Sequence, residues 1–336
     1  MNKELLDYFK GDELAANVWQ SKYAQEGEIT PDDMYKRMAK EFARIEFKYQ
    51  EVKKQGNIPN IEWNNLSHYG RHREELDEKS IYELFKDFKY IIPQGSVMSN
   101  LGSKAITSLS NCFVIGQPFD SYGGIFQKDE EMVQLMKRRG GVGIDISTLR
   151  PKGTDVTNAA KTSTGAVSFM HRFSNSTREV AQDGRRGALM LSISINHPDV
   201  MEFIKVKRDL SQVTGANISI KLNDEFMKAV ENDEDYLLRF PCNVYDRVDK
   251  SVQLLPTLEY NELIIIPEGL YTGITYVKKI KAKEYWDEII KSAHNVAEPG
   301  LMFEDNHLNY SPDGVYEQYK GVTTNPCGRI LPQVKN

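Results

Sequence analysis

Gly140-Gly141-Val142-Gly143-Ile144-Asp145-Ile146-Ser147 reads as a glycine turn running into a strand, with helical periodicity on either side at about 121–139 and 165–182. The alternation continues outward. Leu189-Met190-Leu191-Ser192-Ile193-Ser194-Ile195 has the period of a strand until Asn196-His197-Pro198 breaks it. Pro198 to Lys207 then reads as a helix with proline at its start, Asn217 to Lys221 as a strand and Asp224 to Glu231 as a helix. Residues 241–280 look like an insertion or hairpin region, and Lys283 to Ala297 is an amphipathic helix ended by Pro299-Gly300. Upstream, Ile91 to Ser96 and Thr107 to Gly116 read as short strands with polar loops. Strands alternating with helices predict an α/β domain over 91–336.

Residues 1–90 have a different texture and predict a helical domain. Leu14 pairs with Val18 and Ala15 with Trp19 at helical spacing. Thr30-Pro31-Asp32-Asp33 is a helix start, with threonine at the cap, proline at the first position and acids in the first turn. Met34 to Tyr49 and Ile81 to Phe88 follow in helical period.

Composition narrows the function. Of 336 residues, 40% are apolar and 27% charged, which is ordinary for a folded chain and unlike a disordered one. The net charge of −5 gives no basic field for long nucleic acid. The aliphatic run Leu263 to Ile266 is far too short to span a bilayer, and Met1-Asn2-Lys3-Glu4 opens no secretory segment, so no membrane association is expected. Three cysteines exclude a disulfide framework and point to a reducing, cytoplasmic setting.

The cysteines differ in context. Cys327, in Thr324-Asn325-Pro326-Cys327-Gly328, lies between proline and glycine, so it belongs on a tight loop that can present a thiol. Asn325 offers an amide donor and a carbonyl acceptor beside it. Cys112, in Ser110-Asn111-Cys112-Phe113-Val114, reads by itself as a buried strand cysteine, and Cys242 as structural. No C-x-x-C spacing occurs, so no metal site is expected. Gly140 to Gly143 lacks the spacing of a dinucleotide loop, and Arg138-Arg139 before it reads either as phosphate-facing or as a basic helix end. Gln182-Asp183-Gly184-Arg185-Arg186-Gly187-Ala188 reads either as a nucleotide-reading loop or as an ordinary helix end.

Together, Ser110 to Val114, Lys137 to Gly153, Thr162 to Met170, Ala181 to Ala188 and Thr324 to Gly328 resemble, in order, the catalytic (large) chain of ribonucleotide reductase. The resemblance implies a ten-stranded α/β barrel of two five-stranded halves, of which this sequence covers the first, after an N-terminal helical domain. It implies that Cys327 is the thiyl-radical cysteine of a finger loop and removes the ribose 3′-hydrogen. Cys112 would be one of two reducing thiols, and Asn325 would bond the sugar hydroxyls. Ser96, Asn111 and Gly141 would lie where the substrate is held. Asp120, Ser121, Tyr122 and Arg150 would form the specificity-effector site for deoxynucleoside triphosphates or ATP, and 182–188 the loop that reports the effector to the substrate base. Helices 121–139 and 165–182 would pair in a homodimer. The substrate would be a ribonucleotide, most simply a diphosphate. The radical source would be external, a metal-containing small subunit or, in the cobalamin-dependent class, adenosylcobalamin.

Two departures stand out. The family's Asn-x-Cys-x-Glu has Arg329 at the position of the general base. The sequence also ends shortly after Cys327, so an N-terminal part is expected, with the second reducing cysteine and the other half barrel on a separate chain or segment. A chain of this kind is expected to be inactive alone, and a catalytically dead nucleotide-binding or dimerisation module is the alternative reading.

Overall fold

The computed structural model describes residues 2–55, 66–180, 187–241, 259–268, 273–311 and 323–327. The chain divides into two compact units, 1–111 and 112–336. Residues 91–111, placed with the α/β domain by their texture, are compact with the helical unit.

The first unit contains α1 (Lys3–Tyr8), α2 (Glu13–Lys22), α3 (Pro31–Gln55), α4 (His68–His72), α5 (Glu78–Phe85) and α6 (Gly95–Asn100). Its caps follow side-chain chemistry. Asp12 accepts from Ala15 N–H and Asp77 from Ser80 N–H, while the Asp33 carboxylate reaches back to Thr30 N–H at the start of α3. The core joins Leu5, Trp19, Met34, Met38, Ile81 and Phe85. On α2 the buried pair is Ala16 and Trp19, whereas Leu14 is 75% exposed. The indole decides the orientation, because its large apolar area outweighs that of Leu14. The strand expected over Ile91 to Ser96 is not formed. Residues 91–94 have no ladder partner, Ile91 N–H bonds instead to Leu84 O, and at the start of α6 Asn111 Oδ1 accepts from Ser96 N–H from outside the helix.

The second unit is built on a parallel sheet of β1 (Cys112–Val114), β2 (Gly141–Asp145), β3 (Leu189–Ser194), β4 (Asn217–Leu222) and β8 (Gly300–Phe303), in the order β1-β2-β3-β4-β8. The connections carry α7 (Tyr122–Met136), α8 (Ala166–Glu179) and α9 (Val200–Lys205). Between β4 and β8 lie α10 (Asp224–Glu231), an antiparallel sheet of β5 (Asp235–Pro241), β6 (Leu263–Glu268) and β7 (Gly273–Lys281), and α11 (Ala282–Val296). A last helix, α12 (Glu304–Tyr310), follows β8. The expected hairpin region is therefore this three-stranded sheet, and it begins at Asp235.

The two faces of the parallel sheet differ in chemistry. Val142, Ile144, Leu191, Ile193, Ile218 and Ile220 turn to one face and pack on Met132, Met136, Met170, Phe173 and Phe203 of the helices. The intervening positions carry Gly141, Gly143, Asp145, Ser192, Ser219 and Lys221 on the opposite face, together with two methionines, Met190 beside Gly143 and Met302 beside Lys221. A parallel sheet covered by helices on both faces would be apolar throughout. One face of this sheet is therefore uniformly apolar and the other mostly small or polar. Phe173 is fully buried in the helical layer, so Phe173→Ala should lower the unfolding free energy by about 3–5 kcal/mol in urea denaturation; a loss below about 1 kcal/mol would contradict this packing.

Candidate active site

On the polar face lies the segment Thr323–Cys327. Thr323 is buried and its hydroxyl meets Ser192 Oγ at 2.6 Å. Thr324 and Asn325 are also buried, and the chain emerges at Cys327, which is exposed. Asn325 Oδ1 accepts from Cys327 N–H at 2.9 Å, a local turn that sets the direction of the thiol. The seat is glycine. A Cβ on Gly143 would fall 1.9 Å from the Thr324 carbonyl oxygen, and one on Gly141 would fall 3.1 Å from Pro326 Cγ. Gly143 therefore makes room for a second backbone and Gly141 for the Pro326 ring, and their spacing by two along β2 puts both on the face that receives the loop.

The loop brings two sequence-distant thiols together. Cys112 starts β1, paired in register with Gly141, and its Sγ lies 3.7 Å from Cys327 Sγ. Cys112, Gly141, Asn325 and Cys327 thus form one cluster. Ser96 and Asn111 meet each other in the first unit, where the Asn111 amide also donates to Gln94 Oε1 at 3.0 Å. Arg329 and residues 182–186 lie outside the described residues. Of the 182–188 loop, Gly187 packs so closely that a Cβ would meet Thr177 O at 2.8 Å, and Ala188 O accepts from Val142 N–H beside the glycine seat.

A charged cluster on the same face has no counterpart in the sequence reading. Lys221 Nζ lies 2.9 Å from Asp145 Oδ2 and 2.6 Å from Glu304 Oε1, and Gln117 donates to Asp145 at 2.6 Å. Burial works against the ammonium, but Asp145 and Glu304 outweigh it and hold Lys221 above the ordinary lysine range. Asp145 and Lys221 occupy lining positions of their strands, but nothing in the sequence pairs them. Among the described residues, no three His, Cys, Asp or Glu side chains converge as a metal donor set. No described helix is long and apolar enough to cross a membrane.

A separate cleft of about 240 Å³ is lined by Asp120, Ser121, Tyr122, Arg150, Asp155 to Asn158, Thr162 to Thr164 and Phe169. All four expected effector residues meet there. Ser121 caps α7 by accepting from Gly124 N–H, which places the positive end of that helix dipole at the cleft. Arg150 is committed to the wall: its Nε lies 2.8 Å from Asp120 Oδ2, and its Nη1 donates to Asp155 O at 2.5 Å. Its guanidinium holds the cleft in shape as well as lending it charge.

The sequence matches the family described as ribonucleotide reductase, barrel domain, over residues 110–335. The chain belongs to this family. Among its relatives, the vitamin B12-dependent ribonucleoside-diphosphate reductase of Thermoplasma acidophilum is 30% identical, with 95% of this chain and 43% of the relative covered. The ribonucleoside-diphosphate reductase subunit alpha of Synechocystis is 28% identical over 61% of this chain and 28% of the relative. The ribonucleoside-diphosphate reductase NrdEB subunit alpha of Bacillus subtilis is 26% identical over 77% of this chain and 24% of the relative. The chain spans less than half the length of these ribonucleotide reductases. Its parallel sheet has the five strands expected of a half barrel.

Removing the Lys221 ammonium leaves Asp145 and Glu304 together without their cation, so Lys221→Met should cost about 3–5 kcal/mol of stability at neutral pH. Because the folded pKa of Lys221 is raised, its contribution is complete below the unfolded lysine value of about 10.4 and is lost only as pH rises through the higher folded value. The stability gap between the two proteins should therefore hold across neutral pH and close in the alkaline range; closure near neutral pH would contradict the ion cluster.

Proposed function

We propose that this chain carries the radical-bearing part of a ribonucleotide reductase site and acts in the reduction of ribonucleoside diphosphates. The observation that carries the reading is the 3.7 Å approach of Cys327 and Cys112 on a loop seated against the polar face of the sheet. A thiyl radical on Cys327 would take the 3′-hydrogen of the ribose. The 2′-hydroxyl would then leave as water with a proton from a thiol, and Cys112 with a second thiol would supply two electrons and end as a disulfide. Cys242 matches no family position, so that second thiol is assigned to a segment outside these 336 residues. Asn325, already engaged in shaping the turn, would also bond the sugar hydroxyls, and Ser96, Asn111 and Gly141 would border the substrate. An external radical source, a metal-containing small subunit or adenosylcobalamin, would oxidise Cys327. The Thermoplasma relative's name favours the second.

The cleft at Asp120 and Arg150 is assigned a deoxynucleoside triphosphate or ATP. The α7 N-terminus and the Arg150 charge suit phosphates, Asp120 suits a ribose hydroxyl, and Tyr122 and Phe169 suit a base. Gly187 and Ala188, between α8 and the glycine seat, fit the end of a loop that reports this ligand to the substrate. The exposed face of α7 and α8, where the Arg172 guanidinium lies 4.1 Å from the Phe126 ring centre, is the proposed homodimer contact.

Arg329 favours a second reading for the chain by itself, as a nucleotide-binding, dimer-forming module. Arginine has only donors and stays protonated, so it cannot take the 3′-hydroxyl proton. The unmodified chain, given a radical source and a dithiol, should form no deoxynucleotide, and detectable product would overturn this expectation. Calorimetry should detect selective dTTP binding that Arg150→Ala weakens by about 1.5–3 kcal/mol. No heat above the ligand-free control on folded protein would contradict the cleft assignment.

A further inference from the structure

The turn at Asn196-His197-Pro198, which ends the β3 segment, takes no part in the chemistry above, yet it holds two nearly buried polar side chains. His197 is 2% exposed and Asp199 is 7% exposed. His197 Nε2 lies 2.7 Å from the carbonyl oxygen of Leu149, the residue before Arg150. Asp199 N–H donates to His197 Nδ1 at 3.0 Å. A backbone N–H can only donate and a carbonyl can only accept, so the two bonds fix one neutral tautomer, with its proton on Nε2. Burial pushes the imidazole below its ordinary pKa and keeps it in that form.

Asp199 acts on the other side of the same loop. Its Oδ1 and Oδ2 each accept from Lys152 N–H at 3.1 Å, and Oδ2 also accepts from Ala166 N–H at 2.9 Å. Lys152 and Ala166 bracket the segment that forms much of the cleft wall. One carboxylate thus gathers the two ends of that segment, and it does so at the positive end of α8. Between them the segment closes on itself through the Asp155–Thr162 bridge. Gly165 completes the pinch: its φ is +87°, and a Cβ there would fall 2.6 Å from Asp199 Oδ2.

We infer that the His197–Asp199 turn is a clamp that sets the shape of the 150–165 loop, and that both residues are positioning residues for the ligand of the Asp120–Arg150 cleft. The inference deepens the nucleotide reading of that cleft and rests on it for the identity of the ligand. Neither side chain lines the cleft. They act through the backbone on both sides of Arg150, which fixes where the guanidinium sits.

The test compares the unsubstituted chain with Asp199→Asn, His197→Gln and His197→Leu by dTTP calorimetry and by amide hydrogen exchange over 150–166 without ligand. Asparagine keeps the size of Asp199 but replaces one acceptor oxygen with a donor, so Asp199→Asn should speed exchange across 150–166 and raise the dTTP Kd about tenfold. Gln can present a donor near the Nε2 position, so His197→Gln should bind dTTP within about twofold of the unsubstituted chain, while His197→Leu should weaken it about tenfold. A merely structural role would lower the melting temperature of all three variants and leave Kd unchanged below it. Unchanged dTTP affinity in Asp199→Asn, or equal loss in His197→Gln and His197→Leu, would overturn the proposal. If the unsubstituted chain fails to bind dTTP, the nucleotide reading fails instead, and the clamp is then decided by exchange: faster exchange in Asp199→Asn upholds it and unchanged exchange overturns it.

Discussion

The missing side chain at Gly143 is the constraint on which the site depends. A backbone carbonyl, that of Thr324, occupies the space that a Cβ would fill, and Gly141 gives similar room to Pro326. Only glycine permits a second chain to approach a strand so closely. With the loop seated there, Thr323 and Asn325 are buried and Cys327 alone of this segment is strongly exposed, beside Cys112. The Cys327 thiol is therefore held by the sheet as well as by its own turn, in the manner of a site built on rigid elements.

Two polar systems support this arrangement from different sides. The Asp145–Lys221–Glu304 cluster ties the C-terminal ends of β2 and β4 to the start of α12, on the face that receives the loop. The His197–Asp199 turn fixes the segment around the second cleft. On the helical side, the first residue of α8 bonds to Asp199 and its Thr177 carbonyl packs on Gly187, next to Ala188 beside the glycine seat.

Much of this was legible in the sequence because it rests on periodicity and on residues with few backbone options. The apolar alternation of 189–195 located β3, and the proline–glycine setting of Cys327 located the loop. The Asp120–Arg150 cleft followed from the family resemblance. Other features depended on contacts distant in sequence. Ile91 to Ser96 has the composition of a strand, but Asn111 caps a helix there. Leu14 and Val18 share helical spacing, but Trp19 turns α2 the other way. Lys221 pairs with a carboxylate that it meets only across the sheet, and a lone histidine in a turn gives no sign of bonding to Leu149. Gly141 and Gly143 lack the spacing of a dinucleotide loop, and the room they leave is filled by Thr324 and Pro326, a contact distant in sequence.

Whether the glycine seat brings Cys112 and Cys327 within reach of each other can be measured without substrate or radical source. The folded chain is oxidised with a slight excess of diamide, alkylated and digested, and its linked peptides are identified by mass spectrometry. A Cys112–Cys327 disulfide should be the main product, greatly reduced in Gly143→Ala. A main product linking Cys242 to either cysteine, or equal Cys112–Cys327 linkage in Gly143→Ala, would contradict it.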